Sequence, residues 1–189
     1  TWSRYHLLFG DVLRARLLDE KPDALPQLHR RASAWFAAND EPHEAIVHAL
    51  AGDDLERAAE LLELAAPAMQ RARQEAQLRS WLEALPPGLY DHRPVLAMAL
   101  VGARMSTGDV TGLDPLFAIV DAWTDRADAA DAADAADAPI VADHDAHARL
   151  PAMAAVHRAG LALVAGDTAG TIAHARRVLD LVGDDEPLQ

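Results

Sequence analysis

The sequence predicts an all-α fold of antiparallel helical hairpins stacked as an α-solenoid, and three observations carry that prediction. Apolar residues recur at three- and four-residue intervals along most of the chain, and no segment alternates in the manner of a strand. Alanine-rich stretches are punctuated by Gly52-Asp53, Gly108-Asp109 and Gly166-Asp167, at steps of 56 and 58 residues. The last two copies also overlay at the 58-residue step, with Ala97 on Ala155, Gly102 on Gly160, Gly112 on Gly170 and Val120 on Val178. Near-constant spacing of this kind marks helical-repeat arrays, which bind partners or relay signals more often than they catalyse. Glycine adopts the left-handed conformation past a helix end without Cβ strain, and an adjacent aspartate can cap the next helix. Each Gly-Asp is therefore expected to be a corner between two helices.

The elements follow in order. Leu25, Leu28, Ala32, Trp35 and Phe36 form one apolar face of a helix near residues 24–38, stopped by Asn39-Asp40-Glu41-Pro42. A second helix starts at Pro42, whose fixed φ suits a first turn, and buries Ala45, Ile46, Ala49 and Leu50 before the first corner. Leu55, Ala58, Ala59, Leu62 and Ala65 make a third face, which Pro67 is expected to kink or end. Leu78, Trp81, Leu82 and Leu85 mark another helix, and Pro86-Pro87-Gly88 breaks it. After Pro94, a helix with Leu96, Leu100 and Ala103 inward faces one carrying Leu113, Leu116, Phe117 and Val120. The final hairpin places Leu150, Met153, His157, Leu161 and Val164 before the third corner, and Ile172, Ala175, Leu179 and Val182 after it, all expected inward. Between the two lies residues 126–145, where Asp falls every third residue among alanines. That period precesses around a helix and keeps no face, so an acidic, low-complexity, mobile loop is expected.

With 189 residues the chain can bury a core without staples, and the absence of cysteine excludes disulfides, thiolate zinc and a thiol nucleophile. No signal-peptide pattern or membrane-length apolar run occurs, and a cytoplasmic location is expected. The start at Thr1 points to a piece of a longer protein. A net charge of -13 opposes binding to phosphate backbones, so no direct nucleic-acid contact and no membrane contact is expected. The basic clusters Arg14/Arg16, His29-Arg30-Arg31, Arg71/Arg73 and Arg176-Arg177 read as solvated helix faces.

Nothing in the sequence assembles a catalytic set. There is no phosphate loop, no Gly-x-Ser-x-Gly elbow and no His-Glu-x-x-His helix, so no enzyme, no catalytic residue and no cofactor-binding residue is expected. Asp143-His144-Asp145-x-His147 is the best metal candidate by spacing, yet two imidazoles beside carboxylates in such a loop read as solvated groups, and no metal site is assigned. His157 reads as a core histidine with a backbone partner. Trp35, Trp81 and Trp123 read as core packing, with a groove for a sugar or peptide as the alternative. Residues that bind a ligand or partner are not assignable from sequence.

The N-terminal half adds a resemblance. Arg4-Tyr5-His6-x-Leu8-Phe9, Leu13-Arg14-x-Arg16-Leu17, Leu28-His29-Arg30-Arg31-Ala32-x-x-Trp35 and Glu44-Ala45-Ile46-x-His48-Ala49-Leu50-Ala51 resemble the large ATP-binding LuxR-type transcription regulators of the MalT-like, STAND class. The likeness runs on through Asp54-Leu55-Glu56-Arg57-Ala58-Ala59-Glu60-Leu61-Leu62 to Leu78-x-x-Trp81-Leu82-Glu83-Ala84-Leu85-Pro86. The resemblance implies a winged-helix tail at residues 1–20 and tetratricopeptide-like sensor repeats over 21–125 and 146–189, and the acidic insertion at 126–145 departs from the family's regular repeat pattern. It implies a signal-sensing or scaffold region that couples an inducer or partner to ATP-dependent activation of transcription. The chain lacks a phosphate loop and terminal recognition helices. No cofactor is therefore expected here, and ATP and DNA would be bound by other modules of the parent protein. Those modules are the expected partners, with a small-molecule inducer or a protein. The alternative is a tetratricopeptide-like protein–protein adaptor with no small ligand.

Overall fold

A computed structural model describes residues 24–128 and 138–182, together with residues 12, 15–17, 19 and 20. The expected winged-helix tail at 1–20 and the centre of the acidic insertion therefore fall largely outside the described residues. All the regular structure described is helical, as expected. No helix among the described residues is long and apolar enough to cross a membrane. The helices are α1 (Ala24–Ala38), α2 (Pro42–Ala51), α3 (Leu55–Arg71), α4 (Glu75–Glu83), α5 (Pro94–Ser106), α6 (Asp114–Asp128), α7 (His144–Ala148), α8 (Leu150–Val164) and α9 (Thr168–Val182), with a 3-10 turn at Pro87–Leu89. The chain divides into two compact units, Thr1–Leu61 and Leu62–Gln189.

In the first unit α1 and α2 form a hairpin. Ala45, Ile46 and Ala49 of α2 are fully buried, as their spacing predicts. The face of α1 differs from expectation, because Leu28 and Trp35 are exposed and Ser33 is the buried residue. Its hydroxyl donates to the Ala45 carbonyl at 2.8 Å, so α1 meets α2 through a satisfied polar group.

In the second unit α5 packs against α4, α6, α7 and α8, and α8 pairs with α9. Every residue of α5 from Pro94 to Ala103 is buried. Leu113, just before α6, and Leu116, Phe117 and Val120 within it are buried opposite α5, as predicted. Pro115 sits in the first turn of α6, where its missing N–H costs nothing. Pro67 neither ends nor breaks α3, which continues to Arg71. Ala65, Ala66 and Met69 are buried on both sides of it, and that packing carries the helix past the lost hydrogen bond.

Helix ends at Asp40, Asp53, Arg73, Gly108 and Gly166 share one geometry. Each of these residues has positive φ, and the following N–H donates back to the carbonyl five residues earlier. The second and third Gly-Asp corners are thus as expected. The first is offset by one residue: Asp53 takes φ 51, while Gly52 has φ -90. Gly52 is small for another reason, since a Cβ there would lie 3.1 Å from His29 Cβ and from the Pro26 carbonyl oxygen. The left-handed positions Asp53, Gly108 and Gly166 therefore recur at steps of 55 and 58 residues. Of the corner aspartates, Asp167 caps α9 by accepting from the Gly170 N–H at 2.9 Å. Asp109 instead closes a local turn onto Thr111.

Candidate functional site

The residues that carry the family resemblance knit the first hairpin. His29 and His48 face one another, Nδ1 to Nδ1 at 2.8 Å, which forms a hydrogen bond only when one ring donates and the other accepts. Phe36 stacks on His48 with an interplanar angle of 7° and centroids 5.3 Å apart. Arg30 Nε donates to the Gly52 carbonyl at 3.1 Å, closing α1 over the end of α2. His6 lies outside the described residues.

A second polar arrangement is buried in the second unit. Glu63 of α3 is inaccessible to solvent, and its Oε1 accepts from the N–H groups of Ala142 at 2.7 Å and Asp143 at 3.0 Å. Arg93, just before α5, places Nη1 4.0 Å from Glu63 Oε2. The Ile140 N–H donates to the His92 carbonyl at 2.7 Å. Residues 138–145, expected within a mobile loop, are thus fastened to the core by backbone hydrogen bonds and then wound into α7, and 126–128 belong to α6. A charged residue removed from water persists only with such partners.

The remaining feature is a cleft of about 470 Å³ between α6, α8 and α9. Phe117, Ala118, Leu161, Ala162 and Ala165 supply its apolar wall. Arg158 of α8 lies against Phe117 of α6, its guanidinium carbon 4.6 Å from the ring centroid, and its Nη2 meets Asp121 Oδ2 at 2.6 Å. Asp114, Asp167 and His174 complete the polar lining. Three aspartates against one arginine leave the cleft with a net charge of -2 when the imidazole is neutral. Phe117 was expected as core, and it is. Arg158 and Asp121 carry no pattern that marks them in the sequence, because each reads as a solvated position on its own helix.

The sequence candidates separate cleanly. The Asp143 carboxylate caps α7 by accepting from the Ala146 N–H at 2.9 Å. Among the described residues no cluster of three His, Asp or Glu side chains is placed to hold a metal ion. His157 Nδ1 donates to the Met153 carbonyl at 2.8 Å, the backbone partner anticipated for it. Trp81 and Trp123 are buried, and Trp123 Nε1 donates to the Asp91 carbonyl at 2.8 Å. Trp35 departs from the core expectation, being nearly half exposed beside Phe36. Burial pushes the Tyr90 phenol well above its ordinary pKa, and its hydroxyl donates to the Leu82 carbonyl at 2.7 Å.

Fold and cleft together define an all-α array of paired helices with an open, acidic groove. The chain is similar to part of the serine/threonine-protein kinase PknK of Mycobacterium tuberculosis, 36% identical over 104 residues, which is 55% of this chain and 9% of that protein. It is similar as well to the HTH-type transcriptional regulator MalT of Klebsiella pneumoniae. In one strain the identity is 40% over 85 residues, 45% of this chain and 9% of the regulator, and in another 44% over 61 residues, 32% and 7%. The chain thus spans about a tenth or less of the length of these curated relatives. No family model and no solved structure matches it. These likenesses relate the chain to a helical region of LuxR-family, MalT-like transcription regulators.

Proposed function

We propose that the chain is the signal-input region of a LuxR-type regulator, a tetratricopeptide-like array that couples an inducer or partner to ATP-dependent activation of transcription by a STAND-class parent. The observation that carries this reading is that one all-helical chain is similar in part to proteins whose names state different outputs, a kinase and an HTH-type regulator. Likeness to both fits an input or scaffold better than either output. The array itself is non-enzymatic in this reading, acts in the cytoplasm, and touches neither DNA nor membrane. ATP belongs to the parent's nucleotide module. Coupling of this kind requires the ligand to prefer one arrangement of the parent over another.

The test uses the parent protein. Ligand-stimulated transcription measured with the array intact, and with Arg158→Ala and Asp121→Ala in the cleft, should differ by a loss of stimulation without loss of basal DNA binding. Unchanged stimulation in the variants sinks the input role of the cleft. Isothermal titration with candidate inducers, malto-oligosaccharides included, addresses the ligand directly.

A second reading, the adaptor without a small ligand, draws on one specific observation. Val156, Leu163 and Val164 of α8 and Ile172 and Leu179 of α9 are exposed. Such a face suits an amphipathic partner helix laid in a groove. Under this reading pull-down of the parent recovers a protein whose binding is lost in Leu163→Asp, and cleft variants have no effect.

A further inference from the structure

We propose that the cleft between α6, α8 and α9 binds a small organic cation, an ammonium or guanidinium group carried on a short apolar body. This deepens the input reading and rests on it for regulatory meaning, though the binding step stands on the cleft alone. The groove has a volume of about 470 Å³, of the order of small-molecule sites, and is open to solvent, with Asp114, Ala118, Ala165 and Asp167 exposed along it. The wall already accommodates one guanidinium from inside the protein: Arg158 sits on the Phe117 face and on the Asp121 carboxylate. With that pair matched, Asp114 and Asp167 remain as the charged groups facing the opening.

Both aspartates also stand at helix starts, and the structural roles do not exhaust them. Asp114 opens α6, yet its carboxylate makes no hydrogen bond or ion pair among the described residues. Asp167 uses Oδ1 to cap α9, and Gly170 leaves room for the carboxylate, which a Cβ there would strike. The helix ends themselves do not reverse the sign. The starts of α6 and α9 each contribute about half a positive charge and the end of α8 about half a negative one. The cleft therefore stays negative, which disfavours carboxylate or phosphate ligands and favours a cation. Ala118, Leu161, Ala162 and Ala165 give the ligand's apolar body a surface to cover.

The experiment compares probes matched in shape and different in charge: hexylammonium, hexanol and hexanoate, titrated into the whole 189-residue chain by calorimetry at low salt. Hexylammonium should bind at least about fivefold tighter than hexanol, hexanoate more weakly than both, and the preference should shrink as salt screens it. The double variant Asp114→Asn with Asp167→Asn, which keeps shape and an oxygen acceptor for Gly170, should bring hexylammonium to the level of hexanol. Ala118→Trp, filling the cleft, should abolish binding of all three while circular dichroism stays helical. Equal binding of ammonium and alcohol, or binding unaffected by either variant, overturns the proposal. Absence of binding by all probes overturns it too and leaves the input role standing if the parent still responds to its inducer. Cation binding with no effect on the parent's output overturns the input role of the cleft and leaves the site.

Discussion

In hairpin α5–α6, Met98 is 1% exposed; 58 residues on, in hairpin α8–α9, Val156 is 47% exposed. Asp121 of α6 has Leu179 of α9 as its counterpart, and Leu179 is 69% exposed. Val120 and Val178, by contrast, are buried in both. The two hairpins share a period and a corner, and they differ in what lies on either side. α5 packs against α4, α7 and α8 as well as its partner α6, while among the described elements the α8–α9 hairpin meets α5, α6 and the short α7, all through α8. Burial in an array of this kind is conferred by the neighbour, and the hairpin's own sequence decides only which stripes are available.

The largest test of that difference concerns what fastens the segment that leads into the second hairpin. Glu63 holds the backbone at Ala142 and Asp143 that leads into α7 and α8. Glu63→Ala removes two hydrogen bonds and the buried carboxylate beside Arg93, and should cost about 3–5 kcal/mol in chemical denaturation. Hydrogen exchange should rise first at the 142 and 143 amides and in α8, with α5 less affected. Equal loosening of both hairpins would break the distinction drawn between them.

Core truncation comes next. Leu96 of α5 is fully buried, and Leu96→Ala should destabilise by about 3 kcal/mol, as large-to-small changes in packed cores do. Leu179→Ala in α9 should stay within about 0.5 kcal/mol, since little of that side chain leaves water on folding. A cost at Leu179 comparable with that at Leu96 would mean that the α9 stripe is covered in solution.

A smaller effect distinguishes two glycines one step apart. A Cβ at Gly160 would meet only the end of Met105, with Cε at 3.4 Å, so Gly160→Ala should gain most of the helix-propensity advantage, up to about 1 kcal/mol. At Gly102 the Cβ would lie 3.2 Å from His157 Nε2 and 3.3 Å from Gln70 Nε2. His157 is held through its Nδ1 by the Met153 carbonyl and cannot turn away freely, so Gly102→Ala should be neutral or destabilising. The melting temperature should rise for Gly160→Ala and stay level or fall for Gly102→Ala.

Much of this architecture was legible in the sequence, and what was missed has physical reasons. Helix periods placed α1 to α6 and the last hairpin, and Gly108 and Gly166 announced their corners through the conformation glycine favours. Asp53 and Arg73 close corners of the same geometry with residues that carry no such signal, which shifted the first Gly-Asp by one position. Gly52 owes its size to the approach of α1, a tertiary fact. The stripe Ile172, Ala175, Leu179 was readable as amphipathic but not as outward-facing, because periodicity names a face without naming its neighbour. Glu63 and Arg158 were invisible, since a charged residue in an alanine-rich helix reads as solvated until its partners from distant sequence are known.

The smallest effect separates the two corners by pH. Asp109 has its carboxyl held below the ordinary range by the Thr111 hydroxyl at 2.7 Å, then by the Thr111 N–H at 3.0 Å, with Arg79 and Arg104 adding less. A folded pKa below the unfolded one means that the ionised form is favoured on folding. The contribution is present above the ordinary aspartate value of about 3.9 and is lost as pH falls through the lower folded value. Asp109→Asn should therefore lower the melting temperature slightly at neutral pH, and the gap to the unsubstituted chain should close on acidification within that window. Arg79 also reaches Asp109 from α4 at 2.6 Å, so Arg79→Gln should shift the Asp109 titration upward by less than Thr111→Val does. A larger shift from the arginine would show that the corner is held by charge between α4 and the α5–α6 turn and not by its own local bonds. The corner at Gly166 would then be the one whose geometry is set by its sequence alone.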